Sequence, residues 1–145
     1  MAVIEGYQMP EGLYYTEDHA WLKPEDSGRV RIGLIDFAQK LAGEISFVKV
    51  PKTGKEAVPG KVLFSLQSGK WAGKVSVPLA GTIVEANKEL LNEPQTINRD
   101  CYGAGWVAVI QASNLPAELA KHMTGEVAHE WLKKEVARLK TEQGK

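Results

Sequence analysis

The chain has 145 residues, of which 43% are hydrophobic and 25% are charged, which suffices for one domain with a single core and not for two. Eighteen basic residues balance eighteen acidic residues, so the basic surface that nucleic-acid and anionic-membrane binders need is excluded. No segment approaches the roughly 20 apolar residues of a membrane span, and the start lacks a secretion signal. Cys101 is the single cysteine, which excludes an intramolecular disulfide. We therefore predict a soluble, cytoplasmic protein.

Short apolar or alternating runs, separated by glycine and proline, fill the chain from about residue 14 to 111. This pattern is typical of an all-β sandwich or barrel. One short helix interrupts it, since Asp36 is placed to cap a helix, Gln39 occupies the capping-box position and Gly43 is placed to end it. The predicted strands are 30–34, 45–50, 62–67, 74–78, 82–87 and 106–111.

A helical part follows, from about residue 114 to 140. Leu119 and Met123 are helically spaced, and Gly125 interrupts the pattern. A longer amphipathic helix is then indicated by Val127, Trp131, Leu132, Val136 and Leu139. We predict that these helices pack on the β-rich core, so that residues 1–145 form one domain.

The segment 61–81 predicts a hairpin of two alternating strands. Its apolar residues share one face on each strand, and we expect them in the core: Val62, Phe64, Leu66, Val75 and Val77. Gly69 and Gly73 tolerate the backbone angles of a tight reversal, which places Lys70 and Trp71 at the apex.

An amine at a rigid, exposed tip is a good acceptor for a carboxylic-acid cofactor. The modifying enzyme can grip a defined loop, and the resulting amide arm can swing. On the hairpin pattern alone, however, a solvated surface lysine is the more common interpretation of Lys70.

Four blocks of sequence, in order, resemble the H-protein family of the glycine cleavage system, and the resemblance covers about residues 14–110. The blocks are YYTEDHAWL, IGLIDFAQKLAGEISFVKVPKTGKEAVPGK, QSGKWAGKVSVPLAGTIVEAN and NEPQTINRDCYGAGW. The resemblance implies a mostly β, lipoyl-domain-like barrel-sandwich hybrid with a short internal helix and C-terminal helices. It also implies that lipoate is held in amide linkage on Lys70, with Gly69 and Trp71 beside it, in a carrier that is not itself an enzyme.

The tip departs from the family's usual pattern, which is Glu-Ser-Val-Lys-Ala. Here the five residues are Gln67, Ser68, Gly69, Lys70 and Trp71. Trp71 either presents a large apolar face to a partner or folds its ring back onto the hairpin. A Gly-Lys-Trp tip resembles the lipoate-binding proteins of a sulfur-oxidation pathway that works with a heterodisulfide-reductase-like complex. We narrowly favour that role over an aminomethyl carrier of glycine cleavage.

The implied partners are a lipoate-attaching enzyme and one of two systems. These are the heterodisulfide-reductase-like complex, or the glycine cleavage enzymes with a dihydrolipoyl dehydrogenase. Two alternatives of another class remain: an unmodified interaction module, and a biotinyl carrier, which would be expected to have methionines beside Lys70. We predict no catalytic residue and no metal site, because the sequence offers neither a nucleophile–base pair nor a metal-ligand spacing.

Two reactive side chains outside the tip each allow two interpretations. Cys101 either exchanges with the dithiolane or is packed and inert. His19 either helps to place a partner's substrate or forms a structural hydrogen bond. We predict the structural role for both.

Overall fold

A computed structural model of the chain describes residues 2–69 and 71–143. The strands of the described part are β1 (Ala2–Ile4), β2 (Tyr7–Met9), β3 (Tyr14–Tyr15), β4 (Ala20–Pro24), β5 (Arg29–Leu34), β6 (Ile45–Lys49), β7 (Glu56–Ala57), β8 (Val62–Ser68), β9 (Ala72–Ser76), β10 (Gly81–Ala86) and β11 (Ala108–Ala112). Its α-helices are α1 (Asp36–Ala42), α2 (Thr96–Arg99), α3 (Leu115–Leu119) and α4 (Gly125–Gln143). No helix in the described ranges is long and apolar enough to cross a membrane.

The strands form two antiparallel sheets around one core, together with the small β1–β2 hairpin. The larger sheet has the order β3-β4-β5-β11-β10-β7, and the smaller sheet has the order β6-β8-β9. Trp21 from the larger sheet and Phe64 from the smaller sheet are both buried in the same apolar cluster. Gly33 has to be a glycine, because a methyl group there would lie 2.6 Å from the ring of Trp21. The prediction of a mostly β fold is confirmed.

All six predicted strands are present, and their ends differ from the prediction by no more than two residues. The prediction missed β1, β2, β3, β4 and β7. Four of these have only two or three residues, too few for an alternating pattern to be recognised. The fifth, β4, ends in Pro24, a residue that usually counts against a strand.

One predicted core residue of the hairpin faces solvent. Val62 is 54% exposed, whereas its neighbour Leu63 is buried. The reason is a register shift between Val62 and Phe64, which breaks the strict alternation of faces along β8. The other predicted core residues of the hairpin are buried: Phe64, Leu66, Val75 and Val77.

The internal helix α1 is present, but Asp36 does not cap it. The residue before the helix is Ile35, which provides no side-chain cap, and Asp36 lies within the first turn. Its buried carboxylate instead accepts hydrogen bonds from the Gln8 backbone N–H (2.9 Å) and from Gln39 Nε2 (2.8 Å). The predicted end at Gly43 is confirmed, since this residue has φ +78°.

The long helix α4 buries one stripe of the predicted amphipathic face. Leu132 and Val136 are buried together with Ala128, whereas Val127 is 66% exposed. Val127 was predicted on the apolar face, but it lies beside the buried stripe in the first turn of the helix.

His19 fastens α4 to the start of β4. Its Nε2 atom pairs with Oε2 of Glu135, and its ring meets Phe37 and Trp131 edge to face, each at a centroid distance of 5.7 Å. Arg138 donates to the same carboxylate at 2.9 Å. The predicted structural role of His19 is therefore confirmed.

We predict that the contact of the Glu135 carboxylate with His19 and Arg138 weakens in acid. Burial opposes its ionisation, but hydrogen bonds from Arg138 and His19 outweigh this and lower its pKa. A carboxylate whose pKa is lower in the folded state stabilises the fold above its unfolded pKa, and loses this contribution as the pH falls through the folded value. From about pH 4.5 downward, the melting temperature of the wild type should therefore fall more steeply than that of Glu135→Gln. Thermal melts recorded by circular dichroism across this range test it, and parallel curves would contradict it.

Candidate functional site

The β8–β9 hairpin reverses at the segment that contains Lys70. The last cross-strand pair is Gln67 with Ala72, and beyond it the backbone N–H of Ser68 donates to the carbonyl of Trp71 at 2.8 Å. The chain therefore turns between Ser68 and Trp71. Lys70 itself lies outside the described residues, so its role as the attachment point stays a prediction, whereas both of its flanks are defined.

We predicted that Gly69 and Gly73 are glycines because a tight reversal needs their backbone angles, and the structure shows a different reason for Gly73. Neither Gly69 nor Gly73 has a positive φ. A methyl group on Gly69 would meet nothing within 4 Å, whereas a methyl group on Gly73 would lie 2.3 Å from the Trp71 ring. Gly73 therefore makes room for an aromatic ring, whereas a side chain on Gly69 would meet no described residue.

Trp71 folds its ring back onto the hairpin, which is the second of the two arrangements considered for it. Its ring lies over Gly73, is partly buried and packs against the apolar core. Because residues 71, 73 and 75 share one face of β9, the ring continues the inner face of the sheet towards the tip. Trp71 thereby ties the tip to the core and keeps only part of its surface for a partner.

The base of the tip is held by the end of α1. The hydroxyl of Ser68 donates to the carbonyl oxygen of Ala42, the last residue of α1, at 2.6 Å. The tip is therefore anchored to a second element besides its own hairpin.

Asn98 in turn fixes the corner between α1 and β6. Its Nδ2 donates to the carbonyl of Gly43 (2.8 Å) and to Oε1 of Gln39 (3.0 Å), and its Oδ1 accepts from the backbone N–H of Ile45 (2.9 Å). Sequence reasoning missed this residue, although it stands in the fourth family-like block. Its partners are more than 50 positions away in the chain, so no local pattern identifies it.

Cys101 is packed and protonated. It is 6% exposed, and burial, with smaller contributions from the charges of Asp36 and Asp100, raises its pKa to about 12. Its backbone carbonyl accepts a hydrogen bond from the indole of Trp21 at 2.9 Å. The predicted inert role fits this environment better than exchange with a dithiolane.

The reactivity of this thiol is a second prediction. At pH 8 the native protein should react with a thiol-specific disulfide reagent at least about a hundredfold more slowly than the urea-unfolded protein, because little thiolate is present and the sulfur is buried. Absorbance of the released chromophore measures both rates. Equal rates would show that Cys101 is accessible.

Other groups near the tip form an open groove lined by Glu44, Ser46, Gly69 and Gln95. The groove offers polar contacts beside the attachment segment but no nucleophile–base pair. Among the described residues, no group of three or more His, Cys, Asp or Glu side chains is arranged to hold a metal ion.

Comparison with known proteins gives consistent results. A family model described as "Glycine cleavage H-protein" matches residues 13–135. The chain is 41% identical over 133 residues to the "Probable glycine cleavage system H protein" of Pyrococcus horikoshii, an alignment that covers 92% of this chain and 98% of that protein. It is 40% identical over 134 residues to "Glycine cleavage system H protein 2" of Aquifex aeolicus, covering 92% of this chain and 83% of that protein.

A solved structure agrees with these sequence matches. The crystal structure of a glycine cleavage system H protein from Mycobacterium marinum matches with a TM-score of 0.68 and 32% identity, covering 74% of this chain and 88% of that chain. That protein has the barrel-sandwich hybrid fold, so the predicted fold class is confirmed. The chain belongs to the glycine cleavage H-protein family.

Proposed function

We propose that the chain is a lipoate carrier, with the lipoyl group attached to Lys70 and flanked by Gly69 and Trp71, and that it serves the enzymes of glycine cleavage. Proteins of this family carry lipoate on a lysine and are not themselves catalytic. The observation that carries the proposal is the hairpin reversal closed between Ser68 and Trp71. Lys70 is the single lysine between these two residues, and the resemblance of its segment to the family's lipoylation segment supports it as the lipoyl-lysine.

The residues around the reversal fit such a group. Gly69 is exposed, and a methyl group on it would meet nothing within 4 Å, which fits a segment that an attaching enzyme has to approach. Trp71 over Gly73, and Ser68 bonded to Ala42, hold both flanks of the reversal in a defined geometry that a modifying enzyme can recognise. When bound, lipoate supplies thiol–disulfide chemistry, and the protein holds and presents it.

The names of the relatives support glycine cleavage over sulfur oxidation, which we had narrowly favoured from the Gly69-Lys70-Trp71 tip. They give no support to a heterodisulfide-reductase-like complex as partner. The proposed partners are therefore a lipoate-attaching enzyme, the glycine cleavage enzymes and a dihydrolipoyl dehydrogenase. The ties of α4 to β4 through His19 and Glu135 support the further proposal that residues 1–145 act as one domain.

The test of the carrier role is the intact mass of the protein purified from its native host, followed by peptide mapping. We expect a mass increase of one lipoyl group on the peptide that contains Lys70. An unmodified protein would indicate an interaction module, and a biotinyl group would indicate a biotin carrier. Either result would overturn the proposal.

The test of the pathway uses the lipoylated protein in a reconstituted glycine cleavage assay. We expect glycine-dependent reduction of the arm by glycine decarboxylase. If no turnover is seen, while a heterodisulfide-reductase-like complex accepts the same protein, the pathway assignment is wrong and the carrier role on Lys70 still holds.

A further inference from the structure

The outer face of the small sheet carries an exposed aromatic residue next to the tip. Phe47 on β6 is 51% exposed and is paired across the sheet with Gln67 on β8, which is paired in turn with Ala72 on β9. Gln67 and Ala72 are exposed as well, and this row is the last one before the reversal. A large apolar side chain is thus held in solvent beside the last β8–β9 pair before the reversal.

The next row on the same outer face, two residues further along each strand, carries two positive charges. Lys49 on β6 and Lys74 on β9 are both exposed and flank Ser65 on β8, with which each is paired. Neither lysine forms an ion pair with a described residue. Glu44 lines the groove beside Gly69 and forms no ion pair with either lysine.

We propose that these residues, the outer tip surface (Phe47, Lys49, Gln67, Ala72 and Lys74), are where the lipoate-attaching enzyme docks. The matching surface of that enzyme has an apolar pocket for Phe47 with carboxylates around it for the two lysines. Aromatic side chains are enriched at protein interfaces, and complementary charges around them steer association and add specificity.

The attaching enzyme is the partner that this surface fits best. It acts on the lysine amine itself and has to bring its active site directly to the hairpin. Enzymes that use the finished arm gain the additional reach of the lipoyl chain, so they need less contact with the sheet beside the tip. The inference rests on the proposed function, since it assumes that Lys70 is the acceptor.

The test measures lipoylation of the apo-protein by the purified lipoate-attaching enzyme of the same organism, with lipoate and ATP, over a range of apo-protein concentrations. We expect Phe47→Ser to raise KM about tenfold, which corresponds to the loss of one interface anchor, with little change in kcat. The double variant Lys49→Gln/Lys74→Gln should raise KM about threefold to tenfold and weaken its dependence on salt.

Matched controls carry the same changes elsewhere. Val127→Ser removes another exposed apolar side chain, and Lys134→Gln removes another exposed lysine, both on α4. Both controls should keep the wild-type KM. Circular dichroism checks that every variant is folded. If Phe47→Ser does not fold, the KM of the lysine double variant decides whether the outer tip surface binds the attaching enzyme.

The outcomes separate the two proposals. Unchanged KM and salt dependence in the folded tip variants, with normal lipoylation of the wild type, overturn the docking surface alone and leave the lysines as charges that protect the sheet edges from aggregation. Absence of lipoylation in the wild type overturns the carrier function and the docking surface together.

Discussion

Lys70→Arg is expected to abolish lipoate incorporation and to leave the fold intact. Arginine keeps the positive charge but has no amine that forms the amide. The substitution removes no described core contact, because the tip is held by Trp71 over Gly73 and by the bond from Ser68 to Ala42. Intact mass after incubation with the attaching enzyme should show no added lipoyl group, and the melting temperature should change by about 3 °C or less.

The matched control is Lys61→Arg, an exposed lysine just before β8, at the far end of the hairpin from the tip. This variant should be lipoylated as completely as the wild type. Full lipoylation of Lys70→Arg, with the group mapped to Lys74 or to another lysine, would contradict the assignment of the site.

Six of the seven strands with five or more residues were predictable because their alternation is local, and the exception, β4, ends in Pro24. The side chains along one strand reveal which face is buried, provided that the register stays regular. The exposed Val62 shows where this fails, because the register shift beside it depends on the pairing with β9. Strands of two residues, such as β3 and β7, exist only because a neighbouring strand offers them hydrogen bonds.

The position of the tip was predictable, and the reason for its glycines was not. Two alternating strands around a short segment bracketed by glycines predict a reversal wherever the pattern occurs in the chain. Nothing in the local sequence indicates that Gly73 makes room for the Trp71 ring, because this contact depends on how the ring packs on the inner face of the sheet. The support from Ser68 and Asn98 is equally non-local, since each joins elements far apart in sequence.

Asn98→Ala is expected to lower the free energy of unfolding by about 2–3 kcal/mol, because three partly buried partners lose a hydrogen bond at once. The backbone groups of Ile45 and Gly43 remain in place and find no replacement donor or acceptor in alanine. Urea denaturation followed by tryptophan fluorescence measures the change. The corner that holds Ser68 should also loosen, so hydrogen exchange at the Ile45 amide should become faster than in the wild type.

The control for this loss is Asn92→Ala, which removes the same amide from an exposed position shortly before α2. We expect it to change the free energy of unfolding by about 0.5 kcal/mol or less. If Asn98→Ala lowered the free energy of unfolding as little as Asn92→Ala does, water would have to replace all three hydrogen bonds. Asn98 would then not be the support of the α1–β6 corner. If stability fell but exchange at Ile45 stayed slow, the loss would lie elsewhere, and the link from Asn98 to the base of the tip would be wrong.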